Sequence, residues 1–567
     1  MLLRPDDTTA TDPFYARCWR HRQRSRHMDA TARSYFFAHA GDCPCNVPEE
    51  ITALSDLLDA TGGPATWRSS DNWDRGATDI CGWFGVTCVD GHVQRVELND
   101  NHLTSDAPLP SALSSLSFLT VLDLSDNNLS SPFPDFLGNF SNLTEIRLHQ
   151  NMIHGTLPDG LGSTLSNLQV LQVHQNNLSG TIPDDAWVGL TSLTTVTFEG
   201  NNVTGSLPKQ WGRLNHLNTF RASGNQLTGT LPAEWFDKGC FDGALQTLEL
   251  FNNRLTGSLP SAWACLTGMQ RLLLHTNQFD GSLPATWSTM TNLRTLDLHG
   301  NQLSGSLPIE WNDWSSNVST LDVYDNRLNG TLPMEWRVFV SLSQLRLSTN
   351  QLTGPLPPEW RALSGLTMFT CYGNQLNGSL PEEWGGEWPN ITSIQMQNNQ
   401  FTGTLPASWG SFNKLTQLQL HINQLEGILP RDWERLSSLS TLLLYGNNLS
   451  GPLPPTWPST MTALSWLQMQ NNRLNGTLPS EWANYTSMSI LYLDNNRLTG
   501  TLPASWGMTD PPILISALRF SLTLLRLNNN DMVGTLPPEW GNFSLLNTLS
   551  LNNNHFNGTL PLEWNRL

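Results

Sequence analysis

Histidine and tyrosine side chains recur at one slot along this 567-residue chain, each two residues before a regularly spaced asparagine. Five of the 13 histidines and three of the seven tyrosines lie at this slot. Imidazole nitrogens bind metal ions or form hydrogen bonds, and phenol rings offer rigid amphipathic contact area. The chemistry that these residues offer is therefore metal binding or non-covalent recognition, and the surrounding elements decide between the two.

The slot is expected to face solvent, so packing alone does not demand its residues. Chance would place about 0.4 histidines there. Duplication of an ancestral residue also fills one slot with like residues, and this interpretation stays open, although the mixture of residue types favours a ligand surface. The slot reads Asn99, Ser125, His149, His174, Glu199, Ser223, Phe251, His275, His299, Tyr324, Ser348, Tyr372, Gln397, His421, Tyr445, Gln470, Asp494, Asn528 and Asn552.

The asparagine belongs to a longer phrase, L-x-L-x-x-N, which the chain repeats nineteen times. Most copies are 24 or 25 residues apart, as in LLLHTNQFDGSLPATW from Leu272 to Trp287. Alternating leucines predict a short strand with one buried face, and equivalent strands pair into a parallel sheet. The asparagine amide both donates and accepts, so we expect it to satisfy buried backbone groups between copies. The phrase is identified as a leucine-rich repeat.

A tryptophan closes most copies, about ten residues after the asparagine. Sixteen of the 23 tryptophans occupy this position, and the glycine and proline residues before it predict turns. A large aromatic residue at one recurring position favours a buried packing column on the convex side, with a binding role as the alternative.

These repeats predict an α/β repeat solenoid, a leucine-rich-repeat horseshoe or superhelix with a parallel β-sheet on its concave face. We expect a poorly ordered basic leader over residues 1–45, an N-terminal cap over 46–92 and the solenoid over 93–567, without a C-terminal cap. Insertions at 236–245 and 508–520 predict surface loops, although the second could equally be an artefact of sequence assembly.

The cap region combines an amphipathic stretch with Trp67, Trp73 and the phrase CGWFGVTC, which runs from Cys81 to Cys88. It resembles the N-terminal cap of plant-type extracellular leucine-rich-repeat proteins. This resemblance implies a Cys81–Cys88 disulfide, and the short spacing suits a stapled loop.

The tryptophan-bearing repeats, such as LPAEW, LPPEW and LPSEW, differ from ordinary plant repeats. Over residues 51–567 they resemble the surface antigens of trypanosomatid flagellates, the promastigote surface antigens and proteophosphoglycan-like proteins. Proteins of that family are displayed outside the cell by a lipid anchor and contact host or environmental macromolecules. The resemblance therefore implies a cell-surface location and a binding role.

The remaining cysteines give weaker indications. Cys240 and Cys265 lie 25 residues apart, one repeat period, so they form a second disulfide or remain two thiols. Cys371 takes an inward leucine position and is expected to be buried. The pairing of Cys18, Cys43 and Cys45 stays open.

Fourteen Asn-x-Ser/Thr sequons occur, and eight of them follow from the repeat phrase itself. With the cap cysteines they favour an extracellular or cell-surface location, although no signal or anchor is visible in the sequence. The other six are the candidates for glycosylation: Asn139, Asn142, Asn317, Asn390, Asn484 and Asn542.

Several functions are disfavoured. The net charge of −18 argues against nucleic-acid binding, and no apolar stretch is long enough to span a membrane. No nucleophile elbow, phosphate loop or zinc-protease motif is present, so we expect neither an enzyme nor a cofactor. A metal held by His149, His174 and Glu199 is disfavoured, because three successive strands would place them in a row about 10 Å long. We therefore expect no metal.

We predict a non-catalytic extracellular binding protein, resembling a surface antigen or adhesin, that recognises protein or glycan ligands on its concave face. A receptor ectodomain that signals through a partner or a missing C-terminal segment is one alternative, and an inhibitor of secreted hydrolases is another. A monomer is favoured. The predicted ligand-binding residues are His149, His174, Glu199, Phe251, His275, His299, Tyr324, Tyr372, His421, Tyr445 and Tyr492.

Overall fold

The structure is a computed structural model that describes residues 47–74, 79–315, 317–508, 517–518 and 521–566. The predicted leader, its cysteines and most of the insertion at 508–520 lie outside the described residues. The chain divides into two compact units, Met1–Leu193 and Thr194–Leu567, and each is described by itself.

The first unit begins with a cap, the helix Pro48–Ala60 and the antiparallel strands Val86–Val89 and His92–Glu97. The helix has a proline in its first turn and buries its apolar face, including Leu54 and Leu57. The buried Glu50 carboxylate accepts from the Val93 backbone N–H at 3.1 Å and contacts His92 Nδ1 at 3.0 Å, which ties the helix to the hairpin.

A disulfide joins Cys81 to Cys88, with their Cα atoms 5.4 Å apart. It connects the 3-10 turn Ile80–Gly82 to the strand Val86–Val89. Trp67, Trp73 and Trp83 are buried beside it, and their ring centroids follow one another at 4.8 and 4.6 Å. The cap therefore covers the start of the repeats with buried aromatic rings, and the Cys81–Cys88 disulfide cross-links it.

The repeats of the first unit add parallel strands to the strand His92–Glu97, in residue-for-residue register. A second row of short strands follows the asparagines. The parallel strands are Val121–Asp123, Glu145–Arg147 and Val170–Gln172, and the second row is Thr104–Ser105, Asn128–Leu129, His154–Thr156 and Asn177–Ser179.

Fifteen described strands form the parallel sheet of the second unit, each paired with the next in the same register. Their central residues, such as Leu272 and Leu296, are fully buried. The strands are Thr195–Thr197, Thr219–Arg221, Thr247–Glu249, Arg271–Leu273, Thr295–Asp297, Thr320–Asp322, Gln344–Arg346, Met368–Thr370, Ser393–Gln395, Gln417–Gln419, Thr441–Leu443, Trp466–Gln468, Ile490–Tyr492, Leu524–Arg526 and Thr548–Ser550.

The second row of strands in this unit is broken into three pairs, one group of three and one group of four. These strands are Thr256–Ser258, Gln278–Asp280, Ser304–Ser306, Arg327–Asn329, Thr353–Gly354, Gln375–Ser379, Gln400–Thr402, Glu426–Ile428, Asn448–Gly451, Arg473–Gly476, Arg497–Leu498, Val533–Thr535 and His555–Asn557. Parallel sheets connected by helical turns confirm the predicted α/β leucine-rich-repeat solenoid.

The return path of each repeat is a short helical turn, usually introduced by the proline of the phrase. Two of these turns are α-helical, Leu161–Thr164 and Glu234–Asp237. The 3-10 turns after the cap are Ser111–Ser115, Asp135–Asn139, Ala186–Gly189, Lys209–Arg213, Cys240–Gly243, Ser261–Cys265, Ala285–Thr289, Ile309–Trp314, Met334–Val338, Pro358–Ala362, Glu382–Trp384, Ala407–Ser411, Arg431–Arg435, Trp457–Ser459, Ser480–Asn484, Ala504–Gly507, Pro538–Asn542 and Leu562–Arg566. None of the described helices could cross a membrane.

The tryptophan column is buried, which confirms its predicted packing role. Trp287, Trp311 and Trp336 are fully buried. The Trp287 indole N–H donates to the Pro260 carbonyl of the preceding repeat at 3.0 Å, and Trp311 donates to Pro284 in the same way. A buried indole N–H needs a partner, and the proline carbonyl of the previous copy supplies one for these tryptophans, whereas Trp457 Nε1 has none among the described residues.

The insertion at 236–245 is packed rather than looped out, so the prediction of a surface loop was wrong for its centre. Phe241 is fully buried, with its ring edge-on to Trp235 at 4.9 Å. A disulfide joins Cys240 to Cys265, with Cα atoms 6.2 Å apart. The apolar ring gains more from burial than the extra residues would gain from solvent exposure, which draws the insertion inward. Phe236 stays largely exposed.

Candidate functional site on the sheet face

The residues two before each anchor asparagine form a row on one face of the parallel sheet, and we call this row the lane. Each lane residue lies two positions after a strand ends, so it shares a face with the last strand residue. Asp297 and His299 demonstrate this, since Asp297 Oδ1 lies 2.6 Å from His299 Nδ1. The lane is described separately for the two units.

In the first unit, His149 and His174 stack with ring centroids 4.4 Å apart and planes 13° apart. His149 Nε2 lies 3.7 Å from Asp126 Oδ2. Burial lowers the pKa of the His149 imidazole, and its Nδ1 atom is buried without a hydrogen-bond partner among the described residues. Two predicted site residues are thus brought together as a stacked pair.

A longer aromatic stack runs along the lane of the second unit. Phe251 stacks on His275 at 4.4 Å, and His275 stacks on His299 at 4.2 Å, each pair within 12° of parallel. His299 then meets Tyr324 at 6.1 Å and an angle of 40°. Residues at one slot stack because paired strands lie about 4.8 Å apart, close to the separation of stacked rings.

The stack continues less regularly beyond Tyr324. Tyr324 and Tyr372 approach to 6.3 Å, although Ser348 holds the slot between them. Farther along, His421 stacks on Tyr445 at 4.2 Å. Burial raises the pKa of the phenols of Tyr372 and Tyr445, so both carry their protons at neutral pH.

The expectation that the slot faces solvent was wrong for part of the lane. Ser348 is 0% exposed, and Gln397 and His421 are each 8% exposed. Large side chains on neighbouring strands account for two of these: Tyr324 and Tyr372 approach each other across the slot of Ser348, and His421 stacks on Tyr445. The lane is therefore a half-buried strip rather than a row of free side chains.

Several buried polar atoms of the lane have no hydrogen-bond partner within the described part of the chain. In the second unit they are Glu199 Oε2, Ser348 Oγ, Gln397 Oε1, His421 Nδ1, Gln470 Oε1 and Asp494 Oδ1. A buried polar atom without a partner costs about 1–3 kcal/mol, so these atoms require hydrogen bonds from a ligand or from water.

Burial disfavours the charged form of several groups in this strip. Burial lowers the pKa of the His421 imidazole to about 4, so His421 is neutral at pH 7. Burial also raises the pKa of the carboxyls of Glu199 and Asp494. The strip consequently offers hydrogen-bond acceptors more than it offers fixed positive charge.

Charged residues flank the lane and neutralise one another. Arg271 Nε lies 2.9 Å from Glu249 Oε1, and Arg346 Nη1 lies 3.3 Å from Asp322 Oδ2. Tyr492, a predicted site residue outside the lane, lies under the Arg526 guanidinium at 4.4 Å.

His275, Asp297 and His299 are brought within 4.8 Å of one another at their ligand atoms. The bond to Asp297 raises the pKa of the His299 imidazole, whereas burial lowers the pKa of the His275 imidazole. From the sequence we expected no metal in the lane. That expectation compared only residues of the lane with one another, and it left out Asp297, which lies two positions before His299.

Sequence reasoning also missed Trp466. Its side chain is 39% exposed at the start of the strand Trp466–Gln468, on the same face as the lane residue Gln470. The available signal was its position, six residues before an anchor asparagine and outside the tryptophan column.

The glycosylation candidates lie away from the lane. Asn139, Asn142, Asn317, Asn390 and Asn484 are exposed. Asn542 is partly buried, and its amide donates to the Gly507 carbonyl at 3.0 Å.

Comparison with known proteins supports the repeat assignment. The Leucine rich repeat family matches residues 141–203 and 378–449, and a second description of the repeat matches 118–140, 244–266, 292–314, 341–363 and 487–508. No curated protein matches the sequence.

Solved structures share the fold over most of the chain. The plant peptide hormone receptor RGFR1, in complex with RGF2, is 27% identical with a TM-score of 0.75, and the match covers 86% of this chain and 81% of that one. The Arabidopsis receptor kinase HAESA, in complex with the peptide hormone IDA and the co-receptor SERK1, is 28% identical with a TM-score of 0.72 and 92% coverage of both chains. A Leptospira interrogans leucine-rich-repeat protein is 26% identical with a TM-score of 0.52, covering 71% and 91%.

The repeats, the capped parallel sheet and these matches define a leucine-rich-repeat fold, and it is similar to the fold of plant-type leucine-rich-repeat proteins. Its structural neighbours include plant receptor ectodomains. The finer resemblance to trypanosomatid surface antigens remains a prediction.

Proposed function

We propose that this chain is a non-catalytic extracellular binding protein that recognises a protein or glycan ligand along the lane. The observation that carries the proposal is the set of buried polar atoms along the lane that have no hydrogen-bond partner among the described residues. Gln397 Oε1, His421 Nδ1 and Gln470 Oε1 illustrate it. Such atoms are costly unless a ligand or water supplies hydrogen bonds, so a ligand that does so gains affinity.

The chemistry of the strip favours a ligand that donates hydrogen bonds. A neutral imidazole, amide oxygens and a carboxyl oxygen accept from the N–H groups of an extended peptide or from sugar hydroxyls. Tyr324, Tyr372 and Tyr445 add rigid apolar area at low entropic cost. Two similar structures are of receptors in complex with peptide hormones, which supports a peptide as the first ligand to test.

An extracellular location is supported by the cap disulfide and by the exposed sequons, which are our candidates for glycosylation. The tryptophan-bearing repeats resemble those of trypanosomatid surface antigens, so we propose a surface antigen or adhesin. We propose that it works as a monomer. Its proposed regions are the leader over 1–45, the cap over 46–92 and the binding solenoid over 93–567.

A receptor ectodomain is the second candidate, and the similarity to plant receptor ectodomains favours it. Sequencing the full-length transcript separates the two candidates. A C-terminal hydrophobic anchor tail supports the antigen, whereas a membrane span followed by a cytoplasmic domain supports the receptor.

The decisive experiment selects binders from a displayed peptide library and from a glycan array on the wild-type chain. The variant Tyr324→Ala/Tyr372→Ala/Tyr445→Ala should then weaken the selected binders at least tenfold, because anchoring aromatic residues contribute more than about 1–2 kcal/mol each.

The matched control replaces three exposed apolar residues of the helical side, Ile309, Met334 and Val340, by alanine. This control should keep full affinity. If the tyrosine variant also keeps full affinity while folded, as judged by circular dichroism, the lane is not the binding surface.

A further inference from the structure

One cluster, formed by two lane residues and a flanking carboxylate, has a composition that recognition of a peptide does not require. His275 and His299 occupy the same slot on adjacent strands, and Asp297 lies two residues before His299 on the same face. The ligand atoms of all three lie within 4.8 Å of one another. Among the described residues this is the one His, Cys, Asp and Glu group so closely gathered.

We propose that His275, Asp297 and His299 form a binding site for a divalent transition-metal cation, with Zn²⁺ as the best fit. Two imidazoles and one carboxylate are the ligand types that catalytic and exchangeable zinc sites combine, with a fourth position open to water or to another ligand. The inference goes beyond the proposed peptide or glycan binding.

The positions of these three ligands differ from those of three lane residues on successive strands, which lie along a line. Asp297 instead lies beside His299 in the same repeat, so the three side chains form a triangle over two strands. Asp297 Oδ1 is 2.6 Å from His299 Nδ1, and Asp297 Oδ2 is 4.0 Å from His275 Nε2. These two distances involve different carboxylate oxygens, and one ligand atom from each residue lies within 4.8 Å of the other two. Tetrahedral zinc separates its ligand atoms by roughly 3.4 Å, so the three ligand atoms must approach one another by up to about 1.4 Å.

The surroundings also fit a cation. Asp322 on the next strand places Oδ2 4.0 Å from His299 Nδ1, and its side chain is almost completely buried. Two guanidinium groups lie near the cluster, Arg346 on Asp322 and Arg271 on Glu249, and the carboxylates of Asp297, Asp322 and Glu249 outnumber them by one. A divalent cation would neutralise this excess, and Asp322 provides either a fourth ligand or a charge partner.

The site is open on one side, and a cation requires the two imidazoles to turn, because rings stacked within 12° of parallel hold their in-plane nitrogen lone pairs side by side. The His299 backbone N–H donates to Asp297 Oδ1 at 3.2 Å, which holds the carboxylate against the imidazole. The three side chains remain 18–28% exposed, so the remaining coordination position faces the lane. A metal there would lie where a lane ligand lies.

The test titrates the full chain with ZnCl₂ by equilibrium dialysis and with CoCl₂ by visible absorption. Wild-type protein should bind one equivalent more than His275→Ala/His299→Ala, and the Co²⁺ form should show a ligand-field band that this variant lacks. Asp297→Asn, which preserves shape, should weaken binding of that equivalent at least tenfold.

The matched control is His149→Ala/His174→Ala, which removes the other stacked histidine pair. Gln172 stands there at the position equivalent to Asp297. The control should keep the wild-type stoichiometry and the Co²⁺ band. Equal zinc binding by wild type, His275→Ala/His299→Ala and Asp297→Asn would overturn the proposal.

Thermal unfolding gives a second readout. Zinc should raise the Tm of the wild-type chain and of the control, because a ligand that binds only the folded state stabilises it. The shift should disappear in His275→Ala/His299→Ala. A zinc-dependent shift that is unchanged in that variant would contradict the proposal, even if peptide capture is retained.

Discussion

At the residue scale, each anchor asparagine works as a hydrogen-bond bridge between repeats. Asn326 is buried; its amide donates to the Leu298 carbonyl at 3.0 Å and to the Val323 carbonyl at 3.2 Å, and its oxygen accepts from the Leu303 N–H at 3.0 Å. These bonds confirm the predicted role of the amide. They also explain why asparagine recurs at this position, since the alternating leucines do not require it.

Replacing Asn326 by alanine should leave one buried group without a partner. Asn301 and Asn350 also donate to the Leu298 and Val323 carbonyls, so the Leu303 N–H is the group that loses its partner. We expect the free energy of local opening to fall by about 1–3 kcal/mol. Hydrogen exchange of the amides of the strands Thr295–Asp297 and Thr320–Asp322 measures this quantity.

The control is Arg327→Ala, an exposed change at the next position, which should stay within about 0.5 kcal/mol. If Asn326→Ala exchanges no faster than this control, the asparagine ladder does not stabilise the repeats.

At the element scale, the cap depends on its staple. The Cys81–Cys88 disulfide closes a short loop between a 3-10 turn and the first cap strand. Its removal in Cys81→Ser/Cys88→Ser should destabilise the cap by about 2–3 kcal/mol on the loop-entropy estimate. Faster hydrogen exchange across the strands Val86–Val89 and His92–Glu97 would show the loss, while binding along the lane should keep its specificity.

Val89→Ser offers a control for this change, since Val89 is exposed in the same strand and makes no disulfide. It should change the exchange rates only slightly. Unaltered exchange in the cysteine variant would mean that the buried tryptophans hold the cap without help from the disulfide.

At the scale of the whole molecule, repeats contact mainly the copies beside them in sequence, so damage should remain local. Asn326→Ala should speed exchange between about residues 295 and 350 and leave the cap amides unchanged. The cap variant should give the reverse pattern. Combining both changes should then add their effects within about 0.5 kcal/mol, and a larger coupling would refute the nearest-neighbour description.

The sequence by itself determined the repeat, the pairing of its strands and the face of each strand that is buried. The period of 24–25 residues fixed which residues pair, alternating leucines fixed which face is buried, and the positions of asparagine and tryptophan followed from the backbone groups that a repeat must satisfy. Leu272, Asn326 and Trp287 are buried as predicted for this reason. Each of these predictions depends on distances within one repeat or between equivalent positions.

Only the tertiary structure decided how neighbouring side chains share the space on the sheet face. The distance between neighbouring strands is close to the distance between stacked rings. The lane side chains of Phe251, His275 and His299 therefore stack and become half-buried. The same packing brings the Asp297 carboxylate close to the imidazoles of His275 and His299. An insertion's path is likewise not encoded by the period, so the burial of Phe241 emerged only from packing. Side chains of different slots and strands meet in ways that depend on the folded sheet as a whole.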